Sequence, residues 1–239
     1  MTVTGQLELV AIDAPDIRKL ADFYAALTGW TIAHEEPDWI ALRASDGQEV
    51  AFQLAPDHVP PKWPGQEQPQ QLHLDLLVDG YQAAAERAVG LGATRLADGP
   101  TWVTLADPAG HPFDLCQRDG VGPELALFAV TIDTDDAAGL ARFYADLMGM
   151  EITYEGPEGA MAAGYGKSVM FQQVAGYTPP RWPDPQAPQQ AHLDILVEDL
   201  DAGERRAVEL GARRFEDTPP SFYVFADPSG HPFCLTVES

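Results

Sequence analysis

From residue 72 to residue 78 the chain reads Leu-His-Leu-Asp-Leu-Leu-Val, with Leu72, Leu74, Leu76 and Val78 alternating with His73, Asp75 and Leu77. Successive side chains of a strand point to opposite faces, so this pattern predicts a strand with one wholly apolar face and one that carries an imidazole and a carboxylate. Earlier in the chain the period changes. Asp16 stands at an N-cap position, Ile17, Leu20, Tyr24 and Leu27 recur at helical spacing, and Gly29 supplies a C-terminal stop. Asp136, Leu140, Tyr144, Leu147 and Gly149 repeat that helix. Short β-prone runs follow at 30–34, 40–44 and 49–54, the first two separated by Glu35-Glu36-Pro37 and the last two by Ser45-Asp46-Gly47. In the last run Phe52 and Leu54 share one face and Ala51 and Gln53 the other; Phe171 is set against Met170 and Gln172 in the same way.

Residues 55–71 are Pro-rich and read as an irregular connector around Trp63. The pattern then restarts, with strand 72–78, a cap at Asp79, helix 81–91 ending at Gly92, and strands near 94–97, 102–106 and 112–117. By alternation Trp102 and Thr104 are expected to point into one hollow, and Phe222 and Val224 into another. Asp107-Pro108-Ala109-Gly110 fits a type I turn, with His111 just after it and expected at the surface, as is His231 after the matching turn.

The unit is βαβββ, and it occurs four times. Gln70-Gln71-Leu72-His73-Leu74-Asp75 returns as Gln189-Gln190-Ala191-His192-Leu193-Asp194, and Pro60-Pro61-Lys62-Trp63-Pro64 returns as Pro179-Pro180-Arg181-Trp182-Pro183. The histidines stand 119 residues apart (73 and 192) and the tyrosines 120 (24 and 144). The chain is therefore a duplication of an α+β unit. Two domains are expected, 1–119 with modules 6–54 and 71–117, and 120–239 with modules 125–174 and 190–238, joined by the Gly- and Pro-containing stretch 118–124.

Charge narrows the function classes. The 239 residues include 37 Asp and Glu against 14 Lys and Arg, a formal net charge of −23. So acidic a surface repels phosphate backbones and anionic headgroups, which argues against nucleic-acid and membrane-surface roles. No apolar run is long enough to span a bilayer and residues 1–9 lack a basic segment followed by an apolar core, so a cytoplasmic location is expected. Cys116 and Cys234 are expected as reduced thiols on strands. No phosphate-cradling Gly-rich loop, nucleophile elbow or dinucleotide fingerprint is present.

Paired βαβββ modules, Phe-Tyr on the first helix followed by Leu-x-Gly, a histidine opening the fifth strand and an Asp-Pro-x-Gly turn before the last strand together resemble the vicinal oxygen chelate superfamily. That group holds glyoxalase I, bleomycin-resistance proteins, fosfomycin-resistance enzymes and extradiol dioxygenases. The Pro-Pro-Lys/Arg-Trp-Pro connector and the Gln-Gln-x-His-Leu-Asp strand are similar to glyoxalase-like domains of the actinobacterial kind. The resemblance implies mixed sheets curled into cups with the helices outside, and metal ligands from the first and last strands of each module. Carried over, those positions are Leu9, Gln53, His73 and Asp114 in the first half, and Ala129, Gln172, His192 and Cys234 in the second. Connectors this long allow modules to pair within a half or across halves.

Leu9 and Ala129 have no donor to give, so the implied ligand set is incomplete in both halves, and an incomplete set loses metal affinity steeply. The leading expectation is a cup-shaped pocket that binds a small organic molecule without an essential metal or other cofactor. Trp63 and Trp182 either cover the mouth of a cup or simply pack. The first alternative is a glyoxalase-type lyase or isomerase, or an extradiol-type dioxygenase, in which Gln53, His73 and Asp114 hold Fe, Mn or Zn. The second is a metal-free acid–base enzyme using His73 with Asp75, or His192 with Asp194 in the other half, since each pair shares a strand face. A monomer or a homodimer is compatible with the duplication.

Overall fold

The computed structural model describes residues 5–184, 186–216 and 221–238. Four βαβββ modules follow one another. The first is β1 (Gln6–Ala14), α1 (Ile17–Thr28), β2 (Thr31–Glu36), β3 (Trp39–Arg43) and β4 (Glu49–Leu54); the second is β5 (Leu72–Val78), α2 (Tyr81–Leu91), β6 (Thr94–Asp98), β7 (Trp102–Ala106) and β8 (Pro112–Gln117). The third is β9 (Ala126–Thr134), α3 (Ala137–Met148), β10 (Glu151–Gly156), β11 (Gly159–Gly164) and β12 (Lys167–Gln173); the fourth is β13 (Ala191–Leu196), α4 (Leu200–Glu209), β14 (Arg213–Arg214), β15 (Tyr223–Ala226) and β16 (Pro232–Thr236).

The modules pair across the two halves of the sequence. Sheet A has the order β14-β15-β16-β13-β1-β4-β3-β2 and sheet B the order β10-β11-β12-β9-β5-β8-β7-β6. Each eight-stranded sheet thus joins one module from the first half to one from the second, through the antiparallel ladders β1–β13 and β5–β9. Within each half the modules are held together back to back. Phe23 and Tyr24 of α1, a helix of the first module, meet Phe113 of β8 in the second, with ring centroids 5.9 and 5.8 Å apart.

Burial explains the alternation read from residues 72–78. Leu72, Leu74, Leu76 and Val78 enter the main core with the inward faces of the helices, while His73 and Asp75 stand on the opposite, hollow side. In sheet A the equivalent hollow-side residues Leu9, Ala11, Ala41 and Ala51 form a small cluster of their own, packed against Trp39.

The helix starts show where local signals sufficed. Asp16, Asp136 and Asp199 cap their helices by accepting from backbone amides three residues on, at 3.0, 2.9 and 2.7 Å. Asp79 does not cap α2. Gly80 takes the N-cap in a left-handed conformation (φ 78°), and Gln117 of β8 accepts from the amides of Gly80 and Tyr81 at 3.1 Å. A distant side chain has replaced the local one. The two Pro-rich connectors are alike in carrying a cis bond, at Trp63-Pro64 and Trp182-Pro183.

Candidate functional site

Sheet A floors a cavity of about 780 Å³. The side chains on the hollow side differ between the two sheets. Ala41 lies opposite Ala51 in the β3–β4 ladder, whereas in sheet B the equivalent pair of the β11–β12 ladder is Met161 opposite Met170. Ala11 is likewise replaced by Thr131, the residue opposite the histidine in each sheet. In sheet A these alanines are buried with Leu9 against Trp39 and are not among the residues lining the cavity, and the β11–β12 counterpart of the Trp39–Gln53 pair is Gly159 opposite Gln172.

Aromatic side chains Trp39, Trp182 and Phe222 line the walls of this cavity, and Val224, Gln53 and Thr236 contribute too. Trp182 is braced edge-to-face on Phe215, with centroids 4.7 Å apart. Four aspartates, Asp13, Asp38, Asp57 and Asp194, also face it, and no lysine or arginine is among the lining residues. His192, Asp194 and Cys234 sit together at the floor, each offering a donor atom within 4.8 Å of the others.

A buried polar network positions His192. Gln189 Nε2 donates to Asp13 Oδ1 and Oδ2 at 3.2 and 3.1 Å and lies 3.0 Å from His192 Nδ1; on the other side His192 Nε2 is 3.4 Å from Asp194 Oδ1. With Nδ1 accepting from the amide, the ring proton belongs on Nε2, toward Asp194. Burial disfavours the imidazolium, but Cys234 and Asp194 outweigh it and raise the ring's proton affinity. A second proton on Nδ1 would turn the Gln189 amide around. Burial pushes Asp13 up to about 6, partly offset by His192 and the Gln189 hydrogen bond. The Cys234 thiol is also pushed up, chiefly by burial.

Sheet B carries the sister cluster His73, Asp75 and Asp114, again with donors within 4.8 Å of one another. His73 Nε2 is 3.9 Å from Asp75 Oδ2. Asp75 is oriented by its neighbours, accepting from the Thr131 hydroxyl and, at 3.8 Å, from the Cys116 thiol. Asp114 Oδ1 and His73 Nδ1 are buried without a hydrogen-bond partner among the described residues. Burial raises the Asp114 carboxyl above its usual range, and His73 and the Thr104 hydroxyl draw it part of the way back.

The structure therefore redistributes the residues singled out by the sequence. Gln53, His73 and Asp114 do not form one site: Gln53 lies in sheet A with Leu9, His192 and Cys234, while His73 and Asp114 lie in sheet B with Ala129 and Gln172. The reason is the pairing of modules across halves. Phe222, Val224 and Trp182 do line a common cavity; Thr104 stands opposite Asp114, and Trp102 opposite Cys116, on sheet B. Trp63 is half-buried and lies outside the sheet A cavity. Both cysteines are free thiols on strands.

His111 and His231, expected at the surface, are buried. His111 Nε2 donates to the backbone oxygen of Asp13 at 2.8 Å, and His231 Nδ1 lies 3.1 Å from Asp227 Oδ2. A turn places them, but their rings point inward under the hollows. Asp13, Gln189, Asp38 and Trp39 are lining residues that the sequence reading missed. A signal existed for the first two, since Asp13 and Asp133, and Gln70 and Gln189, are repeated polar residues flanking apolar strands. In sheet B, Gln70 Nε2 holds Asp133 in the same way, at 3.2 and 3.1 Å.

A family model described as a glyoxalase-like domain matches residues 9–116 and again 129–236. The chain belongs to this glyoxalase-like family. Among solved structures it is similar to glyoxalase I from Zea mays, at 16% identity and a TM-score of 0.69, covering 98% of this chain and 92% of that one. It is also similar to a putative dioxygenase from Bacillus subtilis subsp. subtilis str. 168, at 14% identity and a TM-score of 0.63, covering 99% and 86%. The cppA protein from Streptococcus pneumoniae TIGR4 matches at 15% identity and a TM-score of 0.55, covering 99% and 100%. No curated protein matches the chain in sequence. At such identities the solved structures establish the fold alone. Among the described residues no helix is long and apolar enough to cross a membrane.

Proposed function

We propose that this glyoxalase-like protein binds a small organic molecule in the cavity over sheet A, and that holding it requires no metal. The observation that carries this is the lining itself. A volume of about 780 Å³ falls within the range of small-molecule sites, which are apolar clefts with a few placed polar groups. Trp39, Trp182 and Phe222 offer flat apolar area, and four aspartates without a lysine or arginine set the charge. An anion would meet four carboxylates, with His192, already beside Asp194, the one lining residue able to carry positive charge. The favoured ligand is therefore neutral or cationic with a planar apolar body, for which indole faces give cation–π attraction of about 0.5–2 kcal/mol. Native mass spectrometry of chelator-treated protein tests this: a bound organic mass is expected, and it is lost when the lining aromatics are removed in Trp39→Ala with Trp182→Ala. Binding restored only by added metal would contradict the reading.

A second reading is supported by His192 and Asp194, whose Nε2 and Oδ1 lie 3.4 Å apart on the same floor. An imidazole whose proton affinity is raised beside a carboxylate can hand a proton to a bound molecule and take it back, as a general acid–base group. Turnover that survives chelation and disappears in His192→Gln, while ligand binding persists, would favour this acid–base role over binding alone.

A further inference from the structure

The two Pro-rich connectors meet where the halves of the chain join. Gln71 Oε1 accepts from the amide of Gln190 and Gln190 Oε1 from the amide of Gln71, both at 3.2 Å, and Gln66 Oε1 accepts from the amide of Thr178 at 3.0 Å. Between the connectors lies a second cavity of about 190 Å³, walled by Pro69, Pro179, Pro180 and Pro188. At roughly 30 Å³ per water it has room for about six waters, or one small molecule of similar bulk.

The symmetry of the two glutamines fails at one atom. Gln190 Nε2 donates to the carbonyl of Pro69 at 2.9 Å, whereas Gln71 Nε2 makes no hydrogen bond among the described residues. Gln71 is only 6% exposed and lines the cavity. Turning its amide round would not hide the free end, because a backbone N–H already holds the oxygen. A nearly buried side chain thus offers this space a donor that nothing else in the protein uses, and buried donors are normally paired.

Charge specifies what would take it. One guanidinium and one carboxylate, Arg181 and Glu67, are the charged side chains of the lining, and both are exposed at its mouth. Each has a loose partner, Asp184 at 3.4 Å and Lys62 at 3.9 Å. A guanidinium has five N–H donors, so Arg181 can serve a second carboxylate without releasing Asp184.

We propose that this cavity binds a small α-amino acid as its zwitterion. The carboxylate takes the free Gln71 donor and Arg181, the ammonium meets Glu67, and a short side chain lies against the proline rings. A simple anion leaves Glu67 unmatched and must approach a chain of net charge −23. A simple cation leaves Gln71 and Arg181 unused. The site shares only Pro188 with the lining of the sheet A cavity, so the inference does not depend on the function proposed there.

Calorimetric titration of the full chain at pH 7 with L-alanine tests this, with propionate and ethylammonium as single-charge controls and circular dichroism melts to verify the folding of each variant. One L-alanine per chain is expected, with both controls weaker by about tenfold or more. Gln71→Glu keeps the oxygen that accepts from Gln190 and removes only the donor, so it is expected to weaken binding by about tenfold or more. Arg181→Gln and Glu67→Gln, at exposed positions, should each weaken it by about threefold or more. No saturable L-alanine binding by the wild-type chain would overturn the proposal. So would propionate binding as tightly as L-alanine, or wild-type affinity in both folded variants at the mouth.

Discussion

The hydroxyl of Tyr24 donates to Oδ2 of Asp107 at 3.1 Å, and Tyr144 repeats the bond to Asp227 at 3.0 Å. Two sequence motifs, Phe-Tyr on the first helix and Asp-Pro-x-Gly before the last strand, thus meet in the core between the modules of each half. Oδ1 of the same Asp107 accepts from the amides of Ala109 and His111 at 2.8 and 3.0 Å, so one carboxylate fixes the turn and docks the helix. Tyr24→Phe removes a donor from a buried carboxylate and is expected to lower unfolding stability by about 2 kcal/mol. Chemical denaturation checks it, and Tyr144→Phe should match within error.

Each half, taken alone, leaves the edges of two central strands bare. In the first half these are β1 and β5, whose ladder partners β13 and β9 belong to the second. Unpaired edges of this kind recruit another chain. Residues 1–119 expressed alone are therefore expected to form a homodimer in which each copy's β1 pairs with the other's β5. Light scattering after size exclusion reports the mass; a well-folded monomer would show that the halves close within themselves.

Acid should weaken the fold through His111. Burial pushes its pKa from 6.5 down to about 4. The unfolded chain takes up this proton below pH 6.5 while the native chain refuses it until about 4, so the stability His111 contributes is present above 6.5 and is lost as pH falls through that window. Asp107, pushed up to about 6 mainly by burial, acts with the opposite sign and loses stability as pH rises from 3.8 to about 6. Denaturation of wild type and His111→Gln at pH 7 and pH 4.5 separates the two. The gap between the proteins should narrow at the lower pH, by on the order of 3 kcal/mol at most.

Much of the fold was legible because the signals were local and stated twice. Alternation at residues 72–78, caps at Asp16 and Asp136 and the Asp-Pro-x-Gly turns each depend on a few neighbouring residues. The pairing of modules was not legible, since it is settled by which apolar faces meet across connectors long enough to permit either arrangement. That one choice moved Gln53 away from His73 and Asp114 and brought it to His192 and Cys234. Asp79 failed as a cap for a related reason, because Gln117, far along the chain, reached the same amides. The cavity was hidden for the same reason, because Trp39 and Gln53 of the first half meet Trp182, His192 and Phe222 of the second only through the pairing of modules across halves.

The most direct measurement is titration of chelator-treated protein at physiological salt with a planar cationic dye, acridine orange, and with an anionic one, 8-anilinonaphthalene-1-sulfonate, read by quenching of tryptophan fluorescence. One saturable acridine orange site per chain is expected, lost in Trp182→Ala and in Trp39→Ala, with far weaker binding of the anion. Equal or tighter binding of the anion, or cation binding indifferent to those substitutions, would contradict it.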